Sequence, residues 1–129
     1  MKQILLIDVN IKNTIEMDGE SNTVKMIQFD GHCNSGIFCG KVLDGGVDTQ
    51  IIEDGITRLS ARYILEGVDY EGYSCKIFIE NNGIASNTGK IKTVPRVITD
   101  SPYIKWIEKA ICYGEVISNE NGLKICLMG

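Results

Sequence analysis

Two-residue turn signals that end in glycine divide this chain into short apolar segments, and their spacing constrains the fold more than any other feature. They are Asp18-Gly19, Asp30-Gly31, Gly45-Gly46, Asp54-Gly55, Glu71-Gly72, Asn82-Gly83 and Asn121-Gly122. The segments between them are rich in Ile, Val, Tyr and Phe, and many alternate apolar with polar residues. The first segment places four apolar side chains on one face: Leu5, Ile7, Val9 and Ile11. Short alternating strands joined by such turns predict an antiparallel sandwich or barrel.

The 129 residues are enough for a single domain, residues 1–129, with a substantial core. The pattern predicts an all-β fold, a closed antiparallel β-barrel of eight or nine strands. The predicted strands are 2–12, 23–30, 35–43, 47–53, 56–66, 73–81, 91–98, 111–118 and 122–128.

One segment, "TDSPYIKWIEKA", breaks the β pattern and predicts a short helix over residues 101–110. Asp100 or Ser101 is suited to cap it, and Pro102 suits its first turn. Tyr103, Ile107 and Ala110 then share the face that packs against the end or side of the strands.

Composition excludes several classes of function. The formal net charge is -4 and no basic run is present, so we expect no nucleic-acid partner. The apolar start is interrupted at Asp8, too early for a signal peptide or a membrane span, so we expect a cytoplasmic protein without a membrane partner. Five scattered cysteines and one histidine predict reduced thiols, with no metal site and no cofactor.

His32 and Cys33 are the one adjacent pair that suggests nucleophilic catalysis. Neighbours in a strand point to opposite faces, so these two cannot form a dyad with each other. A turn position for His32, after Asp30-Gly31, is the preferred interpretation.

The hairpin around Asp54-Gly55 raises the possibility of an interior site. If these two residues form the whole turn, outward pairing places Gln50 opposite Leu59 and Asp48 opposite Ala61. Directly opposite residues share a face of the sheet. The orientation of the second strand therefore decides where Asp48 and Gln50 point.

The second strand has a clear apolar side. That side carries Leu59, Ala61, Tyr63 and Leu65, whereas the other carries Arg58, Ser60, Arg62 and Ile64. We therefore predict that Asp48 and Gln50 point inward, beside Tyr63. A carboxylate in an apolar interior is costly unless it is paired or protonated, so the cluster is either a structural network or a ligand pocket. A β-bulge at the turn would return both residues to solvent.

Asn81 extends this cluster on the next strand. It follows Cys75, Ile77 and Ile79 at period two, which places it on the inner face at the rim of the barrel. Capping of an Asn82-Gly83 turn explains Asn81 equally well. The segment from Asn81 to Lys92 is predicted to be a loop, either a lid over a cavity or plain surface.

These residues resemble an uncharacterised, mainly microbial family of small β-barrel domains known only as a domain of unknown function. The resemblance rests on a Gly-Gly-x-Asp-x-Gln step, an Ala-Arg-Tyr strand, an Asn-x-Gly turn and a Pro-Arg segment leading to Pro-x-Tyr-x-Trp. In this chain they are Gly45, Gly46, Asp48 and Gln50; Ala61, Arg62 and Tyr63; Asn81 and Gly83; Pro95, Arg96, Pro102 and Trp106. The resemblance implies a closed barrel with one short helix, similar in shape to calycin-like and allene-oxide-cyclase-like barrels, and implies no activity.

The leading hypothesis is a protein that binds a small, partly apolar ligand inside the barrel. Its polar contacts would be Asp48, Gln50, Tyr63 and Asn81, with Arg96 and Trp106 near the mouth. The sequence also allows Trp106 simply to pack against the barrel.

Two alternatives remain open. One is an isomerase, cyclase or lyase that uses Asp48 as acid or base with Tyr63 as its hydrogen-bond partner. The other is a structural or oligomer-forming domain, for example a homodimer, in which the polar residues form a satisfied network. Replacing Asp48 with asparagine would then cost stability.

Overall fold

The structure is a computed structural model that describes residues 2–85, 91–119 and 122–129. In these residues the chain forms nine strands and one short helix. The strands are β1 (Gln3–Asp18), β2 (Asn22–Ser35), β3 (Phe38–Val42), β4 (Val47–Glu53), β5 (Ile56–Asp69), β6 (Ser74–Ala85), β7 (Ile91–Thr99), β8 (Tyr113–Asn119) and β9 (Gly122–Met128). The helix α1 (Ile107–Ala110) lies between β7 and β8.

All the strand pairings are antiparallel, and together they form a ring. From β1 the ring runs through β9, β8, β7 and β6 to β5. Both β3 and β4 pair with β5, and β2 pairs with β3, β4 and β1, which closes the ring. The predicted all-β, barrel-like architecture is confirmed.

The predicted strands are found, and those at 47–53 and 122–128 have the predicted bounds. Two of the predicted turns are wrong. Gly31 lies within β2, opposite Val9, and Gly83 lies within β6 with a strand paired on each side. The hydrogen bonds of a ladder hold such residues extended and override their local preference for a turn.

The helix is shorter than predicted. Its α-helical part begins only at Ile107, and it is preceded by tight turns in which backbone N–H groups donate to carbonyls three residues back, as from Ile107 to Ile104. Such turns bring residues three apart to the same side, so Ile104 and Ile107 are both fully buried. The predicted inward place of Tyr103 is wrong, because Ile104 takes it and Tyr103 is 47% exposed. In the described ranges no helix has the length and apolarity needed to cross a membrane.

Ser101 caps this segment, as predicted for one of its two candidates. Its hydroxyl accepts hydrogen bonds from the N–H groups of Tyr103 and Ile104 and donates one to Asp69 Oδ2, at 2.6 Å. Burial acts to raise the pKa of Asp69, but hydrogen bonds from Ser101 and from two backbone N–H groups lower it on balance. These hydrogen bonds hold residues 101–110, called the α1 segment below, against Asp69 at the end of β5.

The ring has two unlike ends. The end beside α1 is filled by fully buried side chains, among them Leu5, Leu65, Ile77 and Leu127, with Ile104 and Ile107 packed over them. The β1–β2, β4–β5 and β8–β9 hairpins meet at the other end. Within the described residues, the packing thus leaves space for an interior site at the hairpin end.

Candidate functional site

The β4–β5 hairpin has the predicted register. Asp54 and Gly55 both have positive φ, 53° and 74°, as a two-residue type I′ turn requires. Asp48 lies opposite Ala61 and Gln50 opposite Leu59, with no bulge in the hairpin. The inward orientation of Asp48 and Gln50 is therefore confirmed.

The outer face of β5 agrees with this orientation. Arg62 projects outward and its Nε lies 3.0 Å from Glu80 Oε2 of the neighbouring strand. On the inner face, Leu59, Ala61 and Tyr63 are all buried.

A cavity of about 130 Å³ lies inside the hairpin end of the ring. Its walls come from eight strands and are mainly aliphatic: Val9, Ile11, Ile27, Phe29, Leu59, Ala61, Ile91, Val116, Leu123 and Ile125. Four polar residues complete the lining: Asp48, Gln50, Asn81 and Thr93. Ile11 is 54% exposed, so the cavity lining reaches the surface on the β1 side.

Asp48 is the one ionisable residue of the described lining. Its Oδ2 accepts a hydrogen bond of 2.8 Å from Nε2 of Gln50. Its Oδ1 is buried and has no hydrogen-bond partner among the residues that the structure describes. Burial raises the pKa of this carboxyl, and the bond from Gln50 offsets the effect only in part. Asp48 thus brings a desolvated, unpaired acceptor to the lining of the cavity.

Asn81 is a second polar residue of the cavity lining. The small side chain of Ala61 lies between it and Asp48. Asp48, Ala61 and Asn81 occupy one row across three neighbouring strands. Asn81 is 1% exposed; its Oδ1 accepts from Thr93 Oγ1 at 3.2 Å and its Nδ2 lies 3.5 Å from the Tyr63 hydroxyl. Asn81 does not cap a turn, because it lies within β6.

The predicted partnership of Asp48 with Tyr63 is wrong. Within the described residues, Asp48 bonds to Gln50, whereas the Tyr63 hydroxyl meets Asn81. Tyr63 lies outside the cavity lining, and its complete burial raises its pKa. It supports Asn81 from the packed side.

Sequence reasoning missed Thr93. A sequence signal was available, because Thr93, Val97 and Thr99 are separated by even numbers of residues and therefore share one face of β7. All three are buried. Thr93 faces inward with them and joins the polar group of the cavity.

Arg96 and Trp106 are not part of this site. Arg96 is exposed on the outer face of β7, opposite Glu80. Trp106 is 48% exposed in the segment that covers the opposite end of the ring, so its predicted place near the mouth is wrong. The predicted loop from Asn81 to Lys92 is wrong for its first part, which is strand to Ala85, and for Ile91 and Lys92, which lie in β7. Residues 86–90 lie outside the described residues.

His32 is a strand residue and not a turn residue. It is exposed on the outer face of β2, 3.4 Å from Asp8, whereas Cys33 is buried. Their predicted opposite orientation is therefore confirmed. Across the described part of the chain, no three His, Cys, Asp or Glu side chains come together as metal ligands.

The raised pKa of Asp48 gives a prediction for stability against pH. A carboxyl whose pKa is higher in the folded state contributes its full stability below its unfolded pKa, near 3.9, and loses it as pH rises through the folded pKa. Asp48→Asn removes this loss. We therefore expect the variant to gain, relative to the wild type, on the order of 1 kcal/mol between pH 3 and pH 7, the scale of one buried unpaired group.

Urea denaturation at several pH values measures this difference. Asp44→Asn is the control, because the side chain of Asp44 is 93% exposed. A relative loss of stability in Asp48→Asn as pH rises would contradict the expected desolvation. It would favour the alternative of a satisfied network.

The chain is similar to several known proteins. A family model described as "Protein of unknown function (DUF3237)" matches residues 1–127. A UPF0311 protein from Clostridium acetobutylicum is 36% identical over 60% of this chain, and the chain spans 58% of that relative's length.

Solved structures show the same fold. A protein with unknown function from Clostridium acetobutylicum superposes with a TM-score of 0.79 at 26% identity, covering 98% of this chain and 95% of the other. A β-barrel-like protein from Acinetobacter baumannii gives 0.77 at 16% identity, covering 98% and 92%. The second similarity concerns the fold alone.

Proposed function

Because the chain belongs to the family described as "Protein of unknown function (DUF3237)", to which no activity is attached, we propose a function from the cavity itself. The protein binds a small, partly apolar molecule within the hairpin end of the ring. Asp48 and Gln50 orient the molecule from one side, and Asn81 with Thr93 does so from the other.

The free Oδ1 of Asp48 carries this proposal. A purely structural network satisfies its members, because a buried acceptor without a partner costs about 1 to 3 kcal/mol. Asn81 and Thr93 satisfy each other, whereas Oδ1 of Asp48 is buried and unpaired in a residue that lines the cavity. A ligand donor that reaches this oxygen completes its hydrogen bonding.

The size of the cavity sets the size of the molecule. A cavity of about 150 Å³ lined by aliphatic side chains holds benzene. The volume here, about 130 Å³, is of the same order, and its lining reaches the surface at Ile11. The matching ligand is therefore a single ring or a short branched chain with one polar substituent.

Filling the cavity tests the proposal. Ala61 lies between Asp48 and Asn81, so Ala61→Phe should fill the space and reduce affinity for benzyl alcohol at least about tenfold. Amide chemical shifts in two-dimensional NMR measure binding to the folded wild type and variant. Ile64→Phe adds the same ring on the outer face of the same strand, and should leave binding unchanged. The proposal fails if neither benzyl alcohol nor its uncharged or amine analogues of the same size shift the amides of Ala61, Asn81 and Ile125 in the wild type.

A second candidate is an isomerase, cyclase or lyase in which Asp48 transfers a proton. The observation that favours it is the free Oδ1 of a desolvated carboxyl whose pKa is raised, as a general acid or base requires. Gln50 would position the carboxyl in place of Tyr63. The carboxyl carbon shift of Asp48, followed by NMR against pH, measures this pKa directly. An unshifted titration would exclude the candidate and leave ligand binding standing.

A further inference from the structure

We infer that the ligand of this cavity is a small apolar amine, whose ammonium group binds at Oδ1 of Asp48. This inference rests on the proposed binding function and names its ligand class. It follows from the balance of charge and hydrogen bonding within the lining.

The cavity has one acidic side chain and no basic side chain in its described lining. That lining holds Asp48 and no Lys, Arg or His. Arg62, next to the strand partner of Asp48, points to the outer face and pairs with Glu80.

On the face of β2 that carries Ile27, the strand partner of Asp48, Lys25 lies two residues away. Lys25 is opposite Gln50, with Glu16 opposite it in turn. Among the described residues, Lys25 makes no ion pair with Asp48. A ligand cation is thus the missing partner of the carboxylate.

The unpaired acceptor suits an ammonium group. The Gln50 side chain donates its amide hydrogen to Oδ2, which leaves Oδ1 of Asp48 as the acceptor without a partner among the described residues. An ammonium carries a positive charge and three N–H donors, whereas a hydroxyl is neutral and has one donor. The pair also gains from the low dielectric of the aliphatic walls, because opposite charges attract more strongly there than in water.

The walls decide the rest of the molecule. Ten of the fourteen lining residues that the structure describes are aliphatic or aromatic, so an amine with further polar groups would leave those groups unpaired. An amine of about eight non-hydrogen atoms, with one apolar ring, matches both the volume and the lining.

Three probes of nearly one shape separate the possibilities: benzylamine, benzyl alcohol and ethylbenzene, which differ in one terminal group. Isothermal titration calorimetry with the wild-type protein at neutral pH compares their affinities. We expect benzylamine to bind at least about tenfold more tightly than either of the others. The comparison needs no variant, so it does not depend on the folding of one.

Asp48→Asn then tests the assigned residue. The variant keeps the shape of the side chain and removes its charge, so the advantage of benzylamine over benzyl alcohol should fall to about twofold or less. Equal or tighter binding of benzyl alcohol or ethylbenzene to the wild type would overturn the amine inference and leave the cavity as a binding site. An advantage that survives in Asp48→Asn would also overturn it. Failure of all three probes to bind would overturn the binding function as well.

Discussion

Asn81→Ala is expected to destabilise the protein by about 2 to 3 kcal/mol. The side chain is 1% exposed and joins two buried hydroxyls, those of Thr93 and Tyr63. Its removal leaves both hydroxyls without that partner and enlarges the cavity beside them. Urea denaturation followed by circular dichroism measures the loss as a lower midpoint at unchanged slope.

Asn82→Ala is the matched control for this substitution. Asn82 is adjacent in β6 but exposed on the outer face, where its amide bonds to Glu80. We expect a change within about 0.5 kcal/mol, as for most surface substitutions. Equal effects of the two variants would mean that the hydrogen bonds of Asn81 add nothing to the free energy of unfolding. The assignment of Asn81 and Thr93 as a buried polar pair would then be contradicted.

Gly67→Ala is expected to cost about 3 kcal/mol, at the upper end of what overpacking a strand core costs. Gly67 of β5 lies directly opposite Gly40 of β3. A methyl group on Gly67 would collide with the Cys39 carbonyl oxygen and lie 2.5 Å from the Gly40 Cα. Both are backbone groups that cannot move aside, so β3 and β5 would have to separate.

Gly36→Ala provides the comparison. Gly36 lies in the turn between β2 and β3, its φ is not in the left-handed region, and an added methyl would meet nothing within 4 Å. The melting temperature of the Gly36→Ala variant should equal that of the wild type, or be slightly higher, because alanine restricts the unfolded chain. If the Gly67→Ala and Gly36→Ala variants had the same melting temperature, the close approach of β3 and β5 would be refuted.

Much of the site could be read from one hairpin. The sequence Asp54-Gly55 strongly favours a two-residue turn, and such a turn sets the pairing of every residue along both strands. The apolar side of β5 then decided which way Asp48 and Gln50 point. Local chemistry carried this prediction, so it needed no knowledge of distant contacts.

Other predictions failed where distant strands intervene. Gly83 looked like a turn residue but lies between Leu59 and Thr93 of two neighbouring strands, and those pairings hold it extended. The α1 segment looked like a longer helix, but the need to bury both Ile104 and Ile107 over one end of the ring tightened its turns. In both places tertiary pairing outweighed a local preference.

The sequence by itself determined the period-two faces, the turn at Asp54-Gly55 and the inward direction of Asp48 and Gln50, because each depends on residues close together in the chain. Only the tertiary structure decided that the ring is filled at the α1 end and hollow at the other. It also decided that Asn81 is satisfied by Thr93 while Oδ1 of Asp48 is not. The empty volume and the pairing of polar groups depend on side chains that eight strands bring together, so no single stretch of sequence determines them.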